Sequence, residues 1–163
     1  MMKKSLMFLA CLSIAGYAKS FTPVGSTQVD PQHNLQWQDN SAVVEKTYTI
    51  DEAIAYCEDL VLEGKDDWRV PNLTEILSLV QYSPSDYGYV LDAVGTTGTV
   101  ARTFNNRLPT NDITVKLWTS TQYANSGDFY VLGTQWGNFL PRTKYDRWKT
   151  LDHSYVRCVR DYK

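Results

Sequence analysis

Between Thr49 and Val80 the apolar residues recur at helical spacing in two successive blocks. In the first, Ile50, Ala53, Ile54, Cys57, Leu60 and Val61 share one stripe, while Asp51, Glu52, Glu58 and Asp59 fall elsewhere on the helix. Thr49 with Glu52 at the third position forms a capping box, which fixes the start of this helix near Thr49. Gly64 is the expected C-terminal cap, because it takes positive φ without a Cβ clash. In the second block Pro71 disfavours helix at Val70, Asn72 caps with Glu75, and Leu73, Ile76, Leu77 and Val80 form the apolar stripe. Both helices are too short to be stable alone in water, so each needs a sheet to pack against.

The strands are expected on either side of this pair. Leu35-Gln36-Trp37-Gln38 alternates apolar and polar for one short strand and is closed by the turn cluster Asp39-Asn40-Ser41. Residues 19–34, with Pro23, Gly25 and Pro31 and no periodicity, read as a leader, so the domain is expected to start at Leu35 and run to Lys163. Residues 82–116 are rich in Ser, Pro, Gly, Thr and Asn and read as a long loop, either one that presents Tyr82, Tyr87, Tyr89, Arg102, Phe104 and Arg107 or a covering flap packed by its own tyrosines. Strand texture returns at 117–121, 128–132 and 136–140. It is clearest in Ser154–Arg160, where Tyr155, Arg157 and Val159 alternate with Val156, Cys158 and Arg160. Helices followed by a run of strands give an α+β domain: two helices on a small, mainly antiparallel twisted sheet.

At 163 residues and 43% hydrophobic content the chain suits one domain with one core. Lys3 and Lys4, the apolar run Leu6–Ala15 and the small residues of Gly16-Tyr17-Ala18 predict a signal peptide over 1–18 and export to the periplasm, cell surface or medium. Leu9-Ala10-Cys11 partly resembles a lipobox, the competing reading, but Phe8 stands where leucine is usual. The run is too short to span a bilayer, and no transmembrane anchor is expected after cleavage. Cleavage leaves two cysteines, Cys57 and Cys158, in an oxidising compartment, where one disulfide is the default.

Cleavage also takes the formal charge from −2 to −4 and exposes an asymmetry. Residues 19–140 hold 7 basic and 15 acidic side chains, whereas 141–163 hold 7 basic and 3 acidic. Arg142, Lys144, Arg147, Lys149, Arg157, Arg160 and Lys163, with Tyr145 and Trp148 between them, make a cationic strip suited to an anionic polymer, with a merely solvated hairpin as the competing reading. Nucleic acid is not expected as that polymer for an exported, net-negative chain.

Catalysis finds little footing. There is no Gly-x-Ser-x-Gly elbow, and the two histidines are His33 in the expected leader and His153. Asp152-His153-Ser154 are chain neighbours at a turn, a poor arrangement for three groups that must converge on one site. Asp66, Asp67 and Asn72 are the nearest approach to a calcium cluster, and no Cys/His set suits zinc, so neither metal nor cofactor is expected. Trp68 and Trp118 are read as core rather than as sugar platforms.

Five ordered motifs, LQWQDN at 35–40, the helix ending YCEDL at 56–60, DDWRVPNLTEILSLV at 66–80, LWTSTQYA at 117–124 and YVRCVR at 155–160, resemble the Lcl C-terminal domain family. The likeness runs from Leu35 to Arg160, with Val70 and Thr119 as modest departures and without the collagen-like repeat of the family's namesake adhesin. It implies a C-type-lectin-like fold in which the chain ends meet in neighbouring strands and a cysteine of the first helix bonds one in the last strand, as Cys57 and Cys158 can. It also implies an exported binding module for a glycan, anionic or sulfated, or for a cell-surface protein. Arg142, Lys144, Arg147, Trp148 and Lys149 are the expected contacts. A structural part of the envelope with no small ligand is the competing reading.

Overall fold

The polar residues Gln36 and Gln38 alternate with Leu35 and Trp37, yet all four are buried, because this strand lies inside a sheet covered on both faces. The computed structural model describes residues 21–83, 88–91, 116–124, 127–133, 146–148 and 153–163. Strands β1 (Thr22–Val24), β2 (Thr27–Asp30), β3 (Leu35–Gln38) and β9 (Val159–Asp161) form one antiparallel sheet in the order β1-β2-β3-β9. Three helices follow β3: α1 (Ala42–Glu45), α2 (Ile50–Glu58) and α3 (Leu73–Leu77). Strands β4 (Val80–Ser83) and β5 (Gly88–Leu91) make a hairpin, and β6 (Lys116–Gln122), β7 (Phe129–Gly133) and β8 (Asp146–Trp148) make a third antiparallel sheet. The domain is therefore α+β, with one helix more among the described residues than the periodicity predicts.

The segment expected to be a leader is part of the domain. Its described portion contains the β1-β2 hairpin, in which Thr27, Gln28, Val29 and Asp30 are all buried. Hydropathy conceals this because the buried polar groups are bonded locally or across the sheet: Thr27 Oγ1 donates to the Val24 carbonyl, and Gln28 Nε2 donates to Asp39 Oδ2 at 2.9 Å. Asp30 accepts from the backbone N–H groups of Gln32 and His33 and sits 2.6 Å from His33 Nδ1.

Both capping boxes form as expected, at Thr49/Glu52 and Asn72/Glu75, each with its two reciprocal bonds. The ends differ. The first helix stops at Glu58 with Asp59 as its cap, so Leu60 is only half-buried and Val61 is 71% exposed instead of lying on the core stripe. Gly64 has the positive φ foreseen for it, at +69°, but in a different device. Leu62 and Lys65 exchange both backbone bonds at 3.0 Å, and Glu63 (φ +52°) and Gly64 are the two corner residues between them, the arrangement of a type I′ hairpin turn. Glu63 tolerates left-handed backbone while its carboxylate accepts the Ser26 N–H at 2.7 Å and closes over Gly25, where a Cβ would collide with it.

In α3 Ile76 is fully buried, Leu73 and Leu77 are half-buried, and the chain leaves the helix before Val80, which opens β4; Leu79 fills the core instead. The stretch read as loop from Tyr82 thus contains the end of β4 and all of β5, and most of the rest, like the strand expected over 136–140, lies outside the described residues.

Among the described residues two apolar clusters make up the core. Leu35, Trp37, Val43, Ile76, Leu79, Leu117 and Val159 form the first, and Tyr48, Ile50, Ala53, Cys57, Trp68, Val70, Trp118, Val131, Val156 and Cys158 the second. Trp68 and Trp118 are core as expected, and the Trp118 indole donates to the Tyr48 carbonyl at 2.7 Å. The last segment does not sort its side chains by alternation: Val156, Arg157, Cys158 and Val159 are all buried, and only Val159–Asp161 is regular strand.

Candidate functional site

The C-terminal segment is held by the rest of the chain through three kinds of bond, and these decide which of its cations are available. The first is covalent: Cys57 at the end of α2 is bonded to Cys158, with Cα atoms 5.6 Å apart and both residues fully buried. The second is backbone pairing, with β9 against β3 on one side and mutual 2.9 Å bonds between Arg69 and Val159 on the other.

The third is ionic, and it explains the Asp67-Trp68-Arg69-Val70-Pro71-Asn72 run. Extended backbone sends alternate side chains to opposite sides. Trp68 and Val70 enter the second cluster, while Asp67 and Arg69 turn to the C-terminal strand. Arg69 grips Glu75 through two 2.7 Å bonds and reaches Asp161 at 2.9 Å. Glu75 also accepts the Asn72 N–H, so one carboxylate joins the helix cap to the ion pairs. Arg160 donates from Nε and Nη2 to Asp67, at 2.5 and 3.0 Å, and from Nη1 to Gln36 Oε1 at 2.7 Å. Hydrogen bonding to Arg160 holds the Asp67 carboxyl below the usual carboxylate range. Hydrogen bonding to Glu75 raises the Arg69 guanidinium above its ordinary value.

Arg157 is fully buried, donating to the Gln38 carbonyl at 2.5 Å and lying 3.5 Å from Asp39. Arg157 and Arg160 therefore leave the surface strip that the sequence suggested: both guanidiniums are buried and paired, Arg157 with buried Asp39 and Arg160 with Asp67 at the surface. What could have betrayed them is the strand LQWQ, whose glutamines need buried partners if Leu35 and Trp37 are core. Arg147 and Trp148 belong to β8, where they stand opposite Tyr130 and Phe129 of β7. Arg142, Lys144 and Lys149 lie outside the described residues.

The groups weighed for metal or catalytic chemistry are not gathered either. Asp67 is paired with Arg160 and Asn72 caps α3. His153 is exposed, whereas Ser154 is buried with its backbone paired to Tyr48 on both sides at 2.9 Å, and Asp152 lies outside the described residues. Tyr48 stacks on Tyr56 of α2 with centroids 5.0 Å apart, and the Tyr56 hydroxyl accepts from Gln38 Nε2 at 2.6 Å. Burial first, and the neighbouring Tyr56 second, push the Tyr48 phenol up to about 12. No helix among the described residues is long and apolar enough to cross a membrane.

This is an α+β domain whose C-terminal segment is clamped to the first half of the chain by a disulfide just before the last strand and by the ion pairs of Arg69 and Arg160. The Lcl C-terminal domain matches over residues 26–160, and the chain belongs to that family. The match begins inside the β1-β2 hairpin, nine residues before the first motif that carried the resemblance. No curated protein and no solved structure matches the chain.

Proposed function

We propose that this chain is an exported, non-catalytic binding domain of C-type-lectin-like arrangement that takes an anionic glycan on the basic segment containing Arg142, Lys144, Arg147 and Lys149. The observation that carries the reading is the internal use of Arg157 and Arg160. With those two matched to Asp39 and Asp67, the positive excess of the C-terminal part is concentrated in 141–149, where four basic residues stand against Asp146 alone. The pairing of β8 with β7 anchors Asp146–Trp148, in the middle of that segment, to the sheet, which supports Arg147 on a paired strand. Adjacent N- and C-terminal strands, with a first-half helix cysteine bonded to the last segment, support the lectin-like arrangement. Both described cysteines are spent in that bond, which favours binding over thiol chemistry.

Retention on heparin and on fucoidan across a salt gradient tests this, for wild type and for Arg142, Lys144, Arg147 and Lys149 changed together to Ser. Exposed charges are screened beyond ~8 Å at physiological ionic strength, so wild type is expected to elute earlier as salt rises and the variant to pass unretained. Equal retention of both proteins removes this segment from the mechanism. No retention of either turns the reading to a structural role in the envelope or to a protein partner.

A further inference from the structure

The sheet that carries the clamp has an exposed outer strand, β1, whose three residues are all exposed. An open strand edge invites pairing with another chain, and natural proteins close such edges deliberately. In an antiparallel ladder the N–H and C=O of one residue point to the same neighbouring strand, and successive residues alternate. The Gln38 N–H goes to the Cys158 carbonyl, toward the β9 side, and the Asp39 N–H goes to Ser26, toward the hairpin side. Trp37 and Leu35 therefore spend their backbone groups on β2, where their partners are Gln28 and Asp30. Thr27 and Val29, the residues between, spend theirs on β1, against Val24 and Thr22. The one β1 residue left pointing outward is Pro23, opposite Gln28. Proline has no N–H, so this position offers an incoming strand an acceptor and no donor.

We propose that Pro23 is an edge lock: it closes the sheet to strand addition by a second copy of this chain at the one β1 position whose backbone faces solvent. The hairpin geometry makes the lock necessary. Gly25 at φ +56° begins the two-residue turn, Ser26 is tied to Glu63, and Val24 stands 40% exposed, so β1 is held extended with apolar surface beside the edge.

Pro23→Val restores the outward N–H and suits a strand, at a position whose side chain is exposed. The purified signal-free protein is compared with this variant by sedimentation velocity over a hundredfold concentration range, with circular dichroism confirming that each is folded. The expected result is a concentration-dependent dimer or larger species for Pro23→Val and none for wild type. Pro23→Val/Val24→Lys places a charge at the reopened edge and is expected to return to monomer. A folded Pro23→Val that sediments as wild type does overturns the proposal, and so does association that persists unchanged in the double variant, since another surface is then responsible.

Discussion

Changing Cys57 and Cys158 together to Ala isolates the contribution of the covalent clamp. The two residues are 101 positions apart, and cross-linking a loop of that size removes unfolded-state entropy equivalent to about 4.7 kcal/mol in the chain-entropy model. The folded state loses less, because β3-β9 pairing and the Arg69–Val159 bonds keep the two backbones adjacent without the sulfurs. Alanine keeps both fully buried sites apolar. A net loss of roughly 3 to 5 kcal/mol follows, a large share of the ~5 to 15 kcal/mol that holds an ordinary domain folded. Urea denaturation followed by tryptophan fluorescence should show a lower midpoint and a steeper slope, since the uncross-linked unfolded chain exposes more surface. A double-alanine variant with the wild-type midpoint and slope would refute the reasoning: the clamp would then add nothing to the strand pairing.

Leu79→Ala, at a fully buried site, should lose about 2 to 5 kcal/mol in the same assay, and Leu77→Ala, half-buried, clearly less; the reverse order would contradict the register of α3. Asn72→Ala removes the cap of α3 and should cost about 1 kcal/mol by urea denaturation. Asp67 is held below the usual carboxylate range when folded, so its contribution is present above the unfolded value near pH 4 and is lost as pH falls through the folded value; Asp67→Asn should flatten the acid limb of a stability profile. Tyr48 shifts the other way, with stability intact below about pH 10 and lost as pH rises toward about 12; absorbance titration near 295 nm should find late-ionising phenols, Tyr48 and the buried Tyr56 among them, and Tyr48→Phe should lower the late amplitude by one phenol.

The parts of this fold legible in the sequence are those whose signals are local. Thr49 with Glu52 and Asn72 with Glu75 announce two helix starts because each box lies within four residues, and Trp68 and Trp118 announce core through the short motifs they sit in. Helix ends were harder. The apolar stripe continues to Val61, but Asp59 already ends α2, and Glu63-Gly64 is needed for a turn that reaches across to Ser26. The β1-β2 hairpin was hidden because its burial is polar, with Thr27, Gln28 and Asp30 satisfied by partners that only the folded chain supplies. The same blindness affected the basic segment: Arg157 and Arg160 count as surface charge until Gln38, Asp39, Gln36 and Asp67 are brought to them. The family resemblance, which supplied the disulfide pairing a structural reason, began at Leu35 and so missed the hairpin as well.

The position of the disulfide also sets how the domain responds to pulling. A load applied between the two ends of the chain runs through residues before Cys57, crosses the sulfur bridge, and leaves through Cys158 to Lys163. Everything from Glu58 to Arg157, including β8, lies in a closed covalent loop off the covalent path of that tension, touched by it through non-covalent bonds such as those of Asp67 and Arg69 to Val159, Arg160 and Asp161. Force can peel β9 from β3 and draw out the N-terminal hairpin, at most about 3.5 Å per freed residue, and extension then halts at the bridge. A ligand held within the loop would stay attached to a domain already stretched to its limit. A chain pulled in an optical trap should lengthen by the short outer segments alone until reductant is added, when the remaining hundred or so positions pay out.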